Sequence, residues 1–191
     1  AQGRMYPRRF RTSSRLMALP ALVLSAFLVV AANAQTLYTA TARAYISQSE
    51  VVGRLYVVDP DTAGARLVGP LRLKDGRYIG VNGLAVHPRT GALYGITAGA
   101  TPGLRPSLVT IEPKTAEAPL IGPSGHSASD INFDADGHLF IWLTDLGQIG
   151  TVDLKSGAAT PLGSTLIPDA TGGGLAINQK GAAYIATTTA V

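Results

Sequence analysis

The stretch "TVDLKSGAATPLG", residues 151–163, aligns without a gap on "VVDPDTAGARLVG", residues 57–69, and on "TIEPKTAEAPLIG", residues 110–122. In each copy an apolar run leads to a carboxylate, Asp59, Glu112 or Asp153. A carboxylate at that point can accept hydrogen bonds from the N–H groups of a following turn. Pro60 and Pro113 preset φ for the turn, and Thr62, Thr115 and Ser156 can add hydroxyl bonds. A second short apolar run then ends at Gly69, Gly122 or Gly163. The phrase reads as strand, turn, strand, and its recurrence encodes a fold rather than a chemistry.

A second phrase alternates with the first. "GLAVHPRTGALYGIT" (83–97) matches "DINFDADGHLFIWL" (130–143) and "GLAINQKGAAYIAT" (174–187). Gly91, Gly137 and Gly181 share one turn position, and Tyr94, Phe140 and Tyr184 follow three residues later. Self-similarity at a period near 45 residues indicates a repeat architecture. The unit is four short strands, A to D, bounded by Gly, Pro, Asp and Asn. One unit runs 81–87, 92–97, 107–112 and 117–122, and the next runs 128–134, 138–144, 148–153 and 158–162. Strands B, C and D at 37–42, 54–59 and 65–69 precede them, and strands A and B at 173–178 and 182–187 follow. Four-stranded units of this length are the blades of a β-propeller, so the expected class is all-β: an open arc of about three blades. A β-sandwich is the rival. A closed ring typically has about four to eight blades, so a C-terminally truncated fragment is expected, completed by further blades or by a second copy.

These two phrases resemble those of bacterial secreted β-propellers, with the NHL, YVTN and quinoprotein-amine-dehydrogenase-like superfamilies as the nearest groups. The resemblance covers nearly all of the chain after residue 34. It implies a propeller fold and no single activity, because such folds host lactonases, lyases, redox subunits and binding scaffolds.

Residues 1–34 have the layout of a secretory signal peptide. Arg4, Arg8, Arg9, Arg11 and Arg15 precede an apolar run, Leu16 to Ala32, and Ala32-Asn33-Ala34 is a small-x-small cleavage site. The run holds Pro20 and lacks a basic stop-transfer flank, which argues against a membrane anchor. Residues 1–4 precede Met5, so translation is expected to start at Met5. The expected location is secreted or periplasmic. The whole chain carries +4, but five of its sixteen basic residues and none of its twelve acids lie in this segment. The remainder is therefore nearly neutral, and nucleic acid is not an expected partner. There is no cysteine, which excludes disulfides, thiolate metal sites and a cysteine nucleophile.

Function is expected on the D–A and B–C connections, which share one face in propellers implied by the resemblance and vary while the strands stay regular. The D–A connections are 70–80, 123–129 and 164–172. They offer Arg72, Lys74, Arg77, Tyr78 and Asn82 in "LRLKDGRYIGVN", His126, Ser129 and Asp130 in "GPSGHSASD", and Asp169. Asp130 stands where the other copies have Gly83 and Gly174, so the repeat does not demand an acid there. It reads either as a cation ligand or base, with calcium the one metal suggested, or as a cap on the N–H groups of Ser127 or Ser129. "NFDADG" (132–137) places Asn132, Asp134 and Asp136 like the first half of a calcium loop, but Leu143 stands where the bidentate Glu belongs, so a hairpin turn is expected. "GHSAS" lacks the second glycine of a nucleophile elbow. His87 and His138 are expected to be solvated in A–B turns, and Trp142 to pack in the core. The leading reading is an exported binding scaffold of unknown ligand. The alternatives are a hydrolase, lactonase or lyase with an axial site, and a quinoprotein-like redox subunit.

Overall fold

The repeated phrases become antiparallel sheets. In the computed structural model, which describes residues 36–42, 45–47, 50–51, 53–99, 103–165 and 171–188, every regular element is a strand. β1 (Leu37–Ala40), β4 (Arg54–Val58) and β5 (Ala65–Pro70) form a three-stranded sheet. β6 (Val81–Val86), β7 (Leu93–Thr97), β8 (Ser107–Ile111) and β9 (Leu120–Pro123) form a four-stranded sheet in sequence order. So do β10 (Ala128–Phe133), β11 (Leu139–Leu143), β12 (Gln148–Val152) and β13 (Ala159–Ser164). β14 (Thr171–Ile177) and β15 (Ala183–Thr188) pair as a hairpin. The architecture is an open arc of propeller blades, as the period implies.

The sheets stack face to face, and single strands show why. Along β11, Leu139, Ile141 and Leu143 enter the core shared with the β6–β9 sheet, while Phe140 and Trp142 join Leu175, Ile177 and Ile185 of the last hairpin. Side chains on a strand alternate between faces, so a strand buried on both faces must be apolar throughout, as "LFIWL" is. On the other side of the β6–β9 sheet, Leu93, Val109 and Ile111 meet Leu55 of the first sheet. Each such side chain taken out of water contributes about 1.5–3 kcal/mol, so the interfaces between sheets carry the fold.

The turn between the third and fourth strands forms by the expected bonds. Asp59 Oδ1 accepts from the N–H groups of Asp61 and Thr62, both at 2.9 Å. Asp153 Oδ1 accepts from Lys155 (2.8 Å) and Ser156 (2.7 Å), and Glu112 Oε1 from Lys114 (3.3 Å). The hydroxyls of Thr62, Thr115 and Ser156 each accept a backbone N–H two residues on. The closing glycine has a second use. A Cβ on Gly122 would collide with the Ser156 carbonyl of the next sheet's turn. The outer end of one sheet thus docks on its neighbour, and backbone bonds from Ala118 to Arg72 O (2.8 Å) and from Ala159 to Ser124 O (2.9 Å) repeat there.

Three details depart from the sequence reading. β2 (Tyr45–Ser47) and β3 (Glu50–Val51) form a small hairpin inside the 43–53 connection, giving fifteen strands among the described residues rather than thirteen. β9 begins at Leu120, not at 117, because Ala116, Glu117 and Ala118 pair in parallel with Arg72 of the preceding connection. The 70–80 connection is not a free loop. Leu73 N–H donates to Arg77 O (2.8 Å), Ile79 N–H to Leu71 O (3.0 Å), and Leu71, Leu73 and Ile79 are buried. A connection this long can fold back on itself and bury its alternate apolar residues.

Candidate functional site: the loop face and the inner strands

The strands that touch most between sheets are β6, β10 and β14, each the first of its sheet. They are not joined by a continuous backbone ladder. Side chains stitch them instead. Asn82 Nδ2 donates to Ala128 O (2.9 Å), Ser129 Oγ to Gly173 O (2.9 Å), and Asn132 Nδ2 to Leu175 O (3.3 Å). Asp130 Oδ2 accepts the Leu175 N–H (2.8 Å), and its Oδ1 accepts the Ile131 N–H (2.9 Å).

Asp130 therefore does cap backbone N–H groups, but those of Ile131 and the neighbouring sheet rather than those of Ser127 or Ser129. Of its two glycine counterparts, Gly83 gives it room. A Cβ on Gly83 would lie 2.6 Å from Asp130 Oδ1, whereas one on Gly174 would lie an ordinary 3.8 Å from Oδ2. Burial raises the carboxyl above the usual aspartate range, against the pull of the Leu175 and Ile131 donors. A cation at Asp130 would share the carboxylate oxygens with those donors, and no three His, Asp or Glu side chains converge as a metal site among the described residues. The calcium-like stretch disperses in the same way. Asn132 reaches the next sheet, while Asp134 binds the His138 N–H and ring, each at 2.8 Å. The Asp134 carboxyl feels burial pushing it up, but the His138 hydrogen bonds outweigh that and hold it low.

The remaining sequence candidates divide. Arg77 is committed to Asp75, through Nε (2.9 Å) and a terminal nitrogen (2.8 Å), at the tip of the 71–79 hairpin. Tyr78 beside it is exposed. Asp169 lies outside the described residues. His126 Nδ1 lies 3.0 Å from Asp145 Oδ2, a partner on the β11–β12 turn that sequence reasoning did not single out. The available signal was an acid at a position where the preceding copy has Gly99. Trp142 is fully buried, its Nε1 donating to Gly172 O (3.3 Å). His138 is exposed as expected. His87 is not merely solvated: its ring packs against Phe133 of the next sheet, with centroids 4.9 Å apart and planes tilted by 51°, and its Nδ1 accepts the Arg89 and Thr90 N–H groups.

No protein-family model matches the chain, and no curated protein matches it. Among solved structures it is similar to a gluconolactonase from Xanthomonas campestris, at 13% identity and a TM-score of 0.51, covering 82% of this chain and 52% of that one. It is also similar to hydrazine synthase from Kuenenia stuttgartiensis, at 17% identity and a TM-score of 0.46, covering 67% and 34%. A third is YCF48 bound to D1 peptide, at 16% identity and a TM-score of 0.43, covering 71% and 43%. The chain thus spans between a third and about half of the length of these structures. The likeness to the gluconolactonase, at 13% identity, shows the β-propeller fold and nothing of activity.

Proposed function

We propose that this chain is part of an exported β-propeller that binds its ligand on the face made by the β9–β10, β11–β12 and 70–80 connections. One observation carries the reading. The polar side chains of the inner strands, Asn82, Ser129, Asp130 and Asn132, are spent on joining neighbouring sheets. Tyr78 on the 70–80 connection is left exposed, and His126 keeps a partly exposed ring. The basic and apolar start of the chain supports export, and the repeat supports completion of the ring by further blades.

A thermal-shift survey of the full chain against small sugar acids, sugars and their lactones tests the binding reading. A stabilising ligand should lose its effect in Tyr78→Ala or His126→Ala while the unliganded Tm stays put. A ligand whose effect survives both changes and disappears with Asn82→Ala would place binding on the inner wall and refute the reading.

A second reading, hydrolysis of an ester or lactone, is favoured by the pairing of His126 with Asp145, and the gluconolactonase neighbour suggests that substrate class to test.

A further inference from the structure

Hydrogen bonds and ion pairs between side chains, among the described residues, mostly stay within one turn: Arg77 with Asp75, His138 with Asp134, Ser156 with Asp153. His126 and Asp145 differ. They are nineteen residues apart and sit on two different connections. Both connections are held. Thr144 N–H donates to Ser127 O (2.9 Å), tying them together next to the pair. The buried Ser124 hydroxyl lies 2.8 Å from Pro106 O and 2.7 Å from His126 O and donates its one proton to either, which holds the backbone that carries the ring. The ring and the carboxylate keep 27% and 39% of their surface exposed.

A carboxylate on Nδ1 selects the tautomer that carries the proton there, and the Nε2 lone pair is then free to accept one. That is the arrangement of a general base whose orientation is set by an acid. We infer that His126 is a general base on the loop face, positioned by Asp145, and that it activates water against the carbonyl carbon of a carboxylic ester. The inference rests on the hydrolytic reading above and not on the binding reading.

The step balances without a cofactor. Water gives a proton to His126 Nε2 as its oxygen bonds to the carbonyl carbon. The tetrahedral oxyanion re-forms the carbonyl, the bond to the leaving oxygen breaks, and that oxygen takes the proton back from Nε2. Asp145 stabilises the transient imidazolium and does not accept the proton. His126 is the catalytic residue of this step, and Asp145 is a positioning residue.

The probe is p-nitrophenyl acetate with the full chain at neutral pH. His126→Gln should lower kcat/KM by about 100-fold, the low end of what a positioned base contributes. His138→Gln is the control, because His138 has the same Nδ1–carboxylate pairing at 2.8 Å but within a single turn and 69% exposed. It should leave the rate unchanged. Nitrogen NMR of the ring should show the Nδ1–H form of His126 in the parent and its loss in Asp145→Ala, at unchanged Tm, together with a lower kcat. The inference is overturned if the parent is no faster than free imidazole at the same concentration. It is equally overturned if the two Gln variants lose activity alike, or if a nitrophenolate burst shows the ring attacking the ester itself. A parent chain that lacks this activity but keeps ligand-induced stabilisation would overturn the base and leave the binding reading standing.

Discussion

Gly83 and Gly174 occupy the same repeat position on either side of Asp130, yet adding one methyl group should have opposite effects at the two. At Gly83 the new Cβ would lie 2.6 Å from Asp130 Oδ1, 2.7 Å from Asp130 Cα and 2.8 Å from Ile131 N. The carboxylate could swing aside, but the backbone atoms cannot, so β6 and β10 must separate. Overpacking of that kind costs about 1–3 kcal/mol. At Gly174 the nearest atom would be Asp130 Oδ2 at 3.8 Å, ordinary contact, and the residue sits in β14 without a left-handed φ. Alanine there restricts the unfolded chain and should be neutral or stabilising by up to about 1 kcal/mol. A chain of this size shifts Tm by roughly 2–4 °C per kcal/mol. Gly83→Ala should therefore lower Tm by about 2–12 °C, on that conversion, while Gly174→Ala leaves it level or raises it slightly. Calorimetry or urea unfolding of both variants decides the matter. Equal destabilisation at both positions would mean that the stagger of the inner strands is not the one described, and that Asp130 is not lodged against Gly83.

Trp142→Ala should cost about 3–5 kcal/mol, because it empties the interface between the β10–β13 sheet and the last hairpin and removes the bond to Gly172 O; denaturant midpoints check it. Asp130 is raised by burial in the folded chain, so its contribution to stability falls as pH climbs from its ordinary 3.8 through the folded value. Asp130→Asn should flatten that part of the Tm-against-pH curve. Asp59 and Asp153 are lowered by backbone donors, first Thr62 and Ser156 respectively, so what they contribute is present above 3.8 and is lost as pH falls through their folded values; Asp153→Asn should reduce the acid-side loss of Tm. Mass spectrometry of the exported protein should find its first residue at Gln35, and recovery of Leu16–Ala32 intact in a membrane fraction would replace export by anchoring.

The sequence alone was enough for the repeat, the four-stranded unit and the bonds of the strand–turn–strand phrase. All of these are local. A carboxylate that caps N–H groups two and three residues on, as Asp59 does, needs no knowledge of the rest of the chain. The inner-strand polar residues were legible as exceptions but not as struts. Asn82 and Ser129 hold the same repeat position, and each bonds the next sheet across 46 and 44 residues of sequence. Which carbonyl such a side chain reaches depends on the stagger between stacked sheets, and the stagger follows from how the apolar faces interdigitate. His126 meets Asp145 within one sheet, where Ser127 and Thr144 carry the β10–β11 pairing one step further, whereas the 71–79 hairpin buries Leu71, Leu73 and Ile79 because a neighbouring sheet stands where it folds back. Periodicity writes each blade into the chain, whereas the contacts between blades exist only once the apolar faces have packed.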